Sequence, residues 1–140
     1  MKHAVYRQLD HTADIAIEVW GADLRELFGN AAFALFDMVA DVDGVRPTVT
    51  TSIEVAADDV EMLLVNWLNE LIYRISAKEM LYARADVHHL DAKHLSATVH
   101  GEPYDPGRHH LRTEIKAATY HQLRVTEEGC QWRACVIFDV

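Results

Sequence analysis

At 140 residues, half of them apolar and a quarter charged, the chain has the size and residue usage of a single globular domain spanning 1–140, not of a disordered segment. Its net charge of −9 repels phosphate backbones at long range, which disfavours direct nucleic-acid binding and suits a basic protein partner or a divalent cation. The longest apolar runs, 62–65 and 134–138, fall far short of the about 20 residues of a bilayer span, and the N-terminus carries no signal-like apolar region, so a cytoplasmic protein with no membrane contact is expected.

The charge is unevenly placed. Residues 1–70 hold 13 acids against four Lys/Arg, whereas residues 71–140 hold nine of each. The first half therefore supplies the whole acidic excess. The two cysteines, Cys130 and Cys135, are expected to be free thiols buried as small hydrophobes, since a four-cysteine zinc site needs a second pair.

In chain order, Val5 to Leu9 reads as a first strand and Ile15 to Trp20 as a second, with Ile15, Ile17 and Val19 on one face and Ala16, Glu18 and Trp20 on the other. Gly21 ends it. Asp23 with Glu26 three residues on opens a helix to about Val39. Its Leu24, Leu27, Phe28, Ala31, Leu35 and Met38 form one apolar stripe. Asp41-Val42-Asp43-Gly44 reads as a turn, because the later ligand positions of a calcium loop are missing.

Val49 to Ala57 is β-branched and alternating, hence a third strand. Asp58, with Glu61 after it, repeats the helix-start signal for a second helix from about Asp59 to Ser76. Apolar residues surround most of that helix, which makes it the expected central helix with Trp67 and Tyr73 in the core. From Leu81 the pattern turns to strands: Leu81 to Leu90, His94 to His100, Ile115 to Thr126 and Arg133 to Asp139, with 101–107 as one long Pro-containing loop. Two β-to-helix units followed by a run of strands predict an α+β fold, with two main helices packed on one face of a largely antiparallel sheet.

Motifs of the familiar enzyme classes are absent: the chain has no phosphate-cradling Gly-rich loop, no Gly-x-Ser-x-Gly elbow and no His-Glu-x-x-His. The adjacent pairs His88-His89 and His109-His110 supply at most one inward group each if they lie on strands, and exposed or hydrogen-bonded imidazoles are the favoured reading. More suggestive is Asp10-His11-Thr12-Ala13-Asp14, directly ahead of the second strand, although taken alone an Asx-turn role is the favoured reading of Asp10 and Asp14. Asp139 closes an apolar strand and is followed by Val140, so its side chain and the Val140 carboxylate offer neighbouring oxygens of the kind calcium or magnesium takes. Lys116 is a charge in an apolar stretch, most simply an outward-facing strand residue.

The Asp10-His11-Thr12-Ala13-Asp14 motif, the 64–73 helix, the 101–120 segment with its Gly-Glu-Pro-Tyr-Asp-Pro run, and the terminal Val136-Ile137-Phe138-Asp139-Val140 together resemble the archease family, in order and over nearly the whole length. The resemblance implies an α+β fold containing a strand-helix-strand-strand module. It also implies a non-enzymatic protein cofactor of the RtcB-type RNA ligase of tRNA splicing and RNA repair, promoting guanylylation of the ligase and multiple turnover. GTP and manganese would belong to the ligase, and RNA would be contacted mainly through it. Residue by residue, the family's metal-binding and required acids fall on Asp14 and Asp139 and its required lysine on Lys116. Asp10 and the Val140 carboxylate stand behind them as further ligands of a divalent ion, calcium first, with magnesium or manganese as alternatives. Ala118 departs from the larger aliphatic of many members, a change of packing more than of chemistry. The rival readings are a metal-dependent phosphohydrolase using the same carboxylates and a chaperone-like interaction module.

Overall fold

The computed structural model describes residues 5–9 and 14–140. Asp10 and His11 therefore lie outside the described residues. The elements run β1 (Tyr6–Leu9), β2 (Ile15–Gly21), α1 (Leu24–Val39), a 3-10 turn (Val42–Gly44), β3 (Val49–Ala56), α2 (Val60–Ser76), β4 (Met80–Leu90), β5 (His94–Pro103), β6 (Ala117–Glu128) and β7 (Gln131–Asp139).

The expected α+β class and antiparallel pairing hold, but the strands close two sheets instead of one. The first has the order β1-β2-β7-β6 and the second β3-β5-β4, with every neighbouring pair antiparallel. β3-α2-β4-β5 is the strand-helix-strand-strand module, inserted between α1 and the β6-β7 hairpin that returns to β2. Each helix packs against strands of both sheets, α1 on β2 and β4, α2 on β6 and β3. The reason is legible in α1: besides the expected stripe it buries Ala32, Ala34, Phe36 and Val39, a belt too wide for a single sheet face. The shared core joins Ile17, Val19 and Phe138 of the first sheet to Ile53, Leu95 and Val99 of the second through Phe28, Leu35, Trp67 and Leu68.

Local chemistry sets the boundaries. Asp23 caps α1 by accepting from the Glu26 N–H at 2.8 Å, while the Glu26 carboxylate accepts from the Ala22 N–H at 3.2 Å. The cap of α2 is Asp59, which accepts from the Met62 N–H at 2.8 Å, and not Asp58 as the spacing to Glu61 suggests. Gly21 and Gly101 are demanded by close approach: a Cβ would meet the Leu27 backbone at 2.4 Å or the Leu81 carbonyl oxygen at 1.9 Å. Gly129, at φ +63°, opens the two-residue turn between β6 and β7.

Four further expectations change. Residues 101–103 complete β5, so the loop begins at Tyr104, and β6 begins at Ala117, leaving Lys116 just ahead of the strand. Tyr73 is 51% exposed and not in the core, on the solvent side of α2 with the Lys78 ammonium 5.8 Å from its ring centroid. Cys130 is exposed in the β6-β7 turn; Cys135, on β7, is half-buried, and burial, with Glu18 opposite it in the ladder, raises its thiol pKa. Among the described residues, no helix is long and apolar enough to cross a membrane.

Candidate functional site at the end of the four-stranded sheet

Register brings together three residues that the sequence holds far apart. Ile15 at the start of β2 pairs with Phe138 near the end of β7. Asp14 directly precedes Ile15 and Asp139 directly follows Phe138, so both flank this last pair of the β2-β7 ladder. Ala117 at the start of β6 pairs with Asp139 from the other side, and the Lys116 N–H donates to the Asp139 carbonyl oxygen at 2.8 Å. Asp14 just ahead of β2, Lys116 just ahead of β6 and Asp139 at the end of β7 thus lie at one end of the sheet. Lys116 and Asp139 are exposed and Asp14 is half-buried. Val140, next to Asp139, is 42% exposed.

Directly opposed residues of an antiparallel pair stand about 4.5–5.5 Å apart, and like charges there repel. Asp14 and Asp139 put two carboxylates at this sheet end, where a shared cation would relieve their mutual repulsion. The donor type, hard carboxylate oxygen, fits a divalent ion such as calcium or magnesium. The donor number does not fill a shell: among the described residues, no group of three or more His, Cys, Asp or Glu is placed to hold an ion. The pair can supply part of a coordination shell, with water or a partner supplying the remainder.

The segment that delivers Lys116 is tied down by a buried carboxylate that sequence reasoning missed. Glu102 accepts from the Arg46 backbone N–H at 2.7 Å and from His109 Nε2 at 2.9 Å, and it pairs with the Arg108 guanidinium. The Arg108 hydrogen bond, ahead of the Arg46 and His109 contacts and against the effect of burial, holds the Glu102 carboxyl down to about 2. His109 is buried, and its Nδ1 accepts from the Asp105 N–H at 2.9 Å. A backbone N–H can only donate, so the ring proton resides on Nε2 and His109 is neutral, a structural imidazole and not a ligand. Beyond it, the Arg112 N–H donates to the Val39 carbonyl at 2.8 Å and its guanidinium to Asp37. The only advance signal was an acid between Gly101 and Pro103, with no hint of its partners.

Next to Lys116 opens a cleft of about 690 Å³ lined by Ile75, Leu81, Tyr104, Leu111 and Glu114 as well as by Lys116 itself. The other histidine pair stays bland: His88 contacts Thr98 and His89 contacts Asp91, both on the surface. Further along β2, Glu18 is buried between Arg7 and Arg133, an ion-paired cluster away from the sheet end.

Comparison with known proteins agrees with this architecture. The Archease protein family (MTH1598/TM1083) matches residues 6–140. Protein archease of Methanopyrus kandleri is 37% identical over 138 residues, covering 96% of this chain and 99% of that protein. The solution structure of Methanobacterium thermoautotrophicum protein 1598 superposes with a TM-score of 0.81 at 31% identity, covering 99% of this chain and all of that one. The crystal structure of Thermotoga maritima TM1083, an archease described as a possible chaperone, gives 0.69 at 26% identity with the same coverage of 99% and 100%. A match from β1 to the last residue of β7, with both helices and both sheets in common, makes the chain a member of the archease family.

Proposed function

We propose that this chain is a protein cofactor of an RtcB-type RNA ligase, acting in tRNA splicing and RNA repair by promoting guanylylation of the ligase and so allowing it to turn over repeatedly. The observation that carries the reading is the convergence of Asp14, Asp139 and Lys116 at one exposed sheet end in a chain of the archease family. Such an end can enter the mouth of a partner's active site, where no residue of this chain need react.

Guanylylation transfers a nucleotide from GTP to a ligase histidine, and phosphoryl-type transfer is governed by positioning and by neutralising charge on phosphate oxygens. Lys116 offers an exposed cation for those oxygens. Asp14 and Asp139 would hold a divalent ion, calcium first and magnesium or manganese next, whose contribution is charge neutralisation and orientation of the nucleotide phosphates. The partly filled shell suits a role shared with a partner's own groups.

The decisive assay is RNA ligation at substoichiometric ligase, with GTP, with and without this protein. Multiple turnover is expected only in its presence, and Asp14→Ala or Asp139→Ala is expected to abolish the stimulation while leaving the fold intact. Wild-type stimulation by the folded double variant would refute the site. A second reading, a chaperone-like interaction module, is favoured by the description of the Thermotoga relative. Under it both Asp variants would bind and act like the wild type. Phosphate release by the purified protein alone would mark a hydrolase instead.

A further inference from the structure

We infer that Asn69 is a positioning residue for Lys116: its side-chain amide clamps the backbone at the start of β6 and fixes where the lysine stands. The inference deepens the proposed function and takes its activity readout from it. Among the described residues β6 is the outermost strand of its sheet, and no strand neighbours its outer edge. At Ala118 that edge is taken by α2. The Ala118 N–H donates to Asn69 Oδ1 at 2.8 Å, and Asn69 Nδ2 donates to the Ala118 carbonyl at 3.1 Å. The two backbone partners are chemically unambiguous, so the orientation of the amide is settled by them. Asn69 does for one residue what a further strand would do.

Two residues earlier, the Lys116 N–H is held from the other side by the Asp139 carbonyl. Ile115 and Ala118, on either side of Lys116, are 6% and 5% exposed. Residues 115–118 are thus fixed to β7, to α2 and to the core, and the exposed Lys116 side chain extends from a rigid base. A charge that must meet phosphate oxygens acts best from such a base, since a misplacement of about 1 Å can cost roughly 100-fold in rate. Asn69 itself is half-buried, and both polar ends of its amide are used on this one contact. Asn66, one turn earlier, makes a single bond of the same kind to the Ala56 carbonyl at the end of β3, in the other sheet. It serves as the internal control.

The test compares wild type, Asn69→Leu, Lys116→Ala, the double variant and Asn66→Leu in guanylylation of the ligase, titrating each against fixed ligase and GTP. Asn69→Leu keeps the side-chain size and removes both hydrogen bonds. Its plateau rate is expected to fall roughly 10- to 100-fold with the half-saturating concentration unchanged. The double variant is expected to be no worse than Lys116→Ala, because the clamp acts only through the lysine. Asn66→Leu should keep the wild-type plateau. Amide exchange should speed up at Ala118 and Lys116 in Asn69→Leu and stay slow at Val136. A wild-type plateau in folded Asn69→Leu, or losses that multiply in the double variant, would overturn the inference. Asn69→Asp, which keeps only the acceptor for the Ala118 N–H, gives the same comparison should the leucine variant not fold. If the wild type itself gave no stimulation, the functional reading would fail; unchanged exchange at Ala118 in either variant would then sink the clamp on its own.

Discussion

Glu102 is a buried acid held in its charged form by Arg108, the Arg46 N–H and His109, and it anchors the loop that leads to Lys116. Its folded value of about 2 lies below the about 4.3 of an unfolded glutamate, so between those values the unfolded chain binds more protons. The stabilisation it gives is therefore complete above about pH 5 and is lost as pH falls toward about 2. Asp91, exposed in the β4-β5 turn and held to about 2 chiefly by the Lys93 N–H, titrates in the same window, so the wild-type curve alone does not isolate Glu102. Comparison with Glu102→Gln does. The variant should melt several degrees lower than wild type at pH 7, and the gap should narrow steadily below about pH 4.5. A gap equally wide at pH 3 would mean that Glu102 contributes by shape and not by charge. None of this was visible in the sequence. An acid before a proline says nothing of an arginine and an imidazole six and seven residues on, or of a backbone N–H 56 positions away.

At the level of elements, periodicity identified both helices and all seven strands, because each buries a face and writes that face into its spacing. Pairing partners are not written there. β3, β4 and β5 alternate as β6 and β7 do, and only long-range register assigns them to separate sheets. α2 shows the same divide. Its apolar circumference correctly placed Trp67 in the core, fully buried with its indole N–H donating to the Phe28 carbonyl at 3.0 Å, but the same reasoning put Tyr73 inside when it faces solvent. Asn69 fell within the stretch that carried the family resemblance and yet had no evident role, since its partner Ala118 lies 49 residues away. Trp67 joins the two helices at the heart of the core, so Trp67→Ala should cost about 3–5 kcal/mol in urea unfolding. Trp67→Phe should cost less, part of it from losing the indole hydrogen bond to the Phe28 carbonyl, which keeps its helical partner. Equal losses would show that the indole's bulk beyond a phenyl ring, and its hydrogen bond, add nothing.

Across the whole molecule, the candidate site exists only because the chain's second strand and its last lie side by side, with the start of β6 beyond them. Family resemblance already put Asp14 and Asp139 on one ion with Lys116 beside them; the pairing that brings them to one sheet end is set by register, which no local pattern encodes. This placement couples the site to global stability. Unfolding separates Asp14 from Asp139, so an ion held by both binds the folded chain in preference to the unfolded one and must raise the melting temperature. At calcium about 100 times its dissociation constant the gain is about 2.7 kcal/mol, or roughly 5–10 °C for a domain of this size. The shift should disappear in Asp14→Ala and in Asp139→Ala and be reversed in wild type by a chelator. A calcium shift that survived in the double alanine variant would move the ion elsewhere on this acidic surface. No shift in the wild type would leave the pair dependent on groups a partner brings.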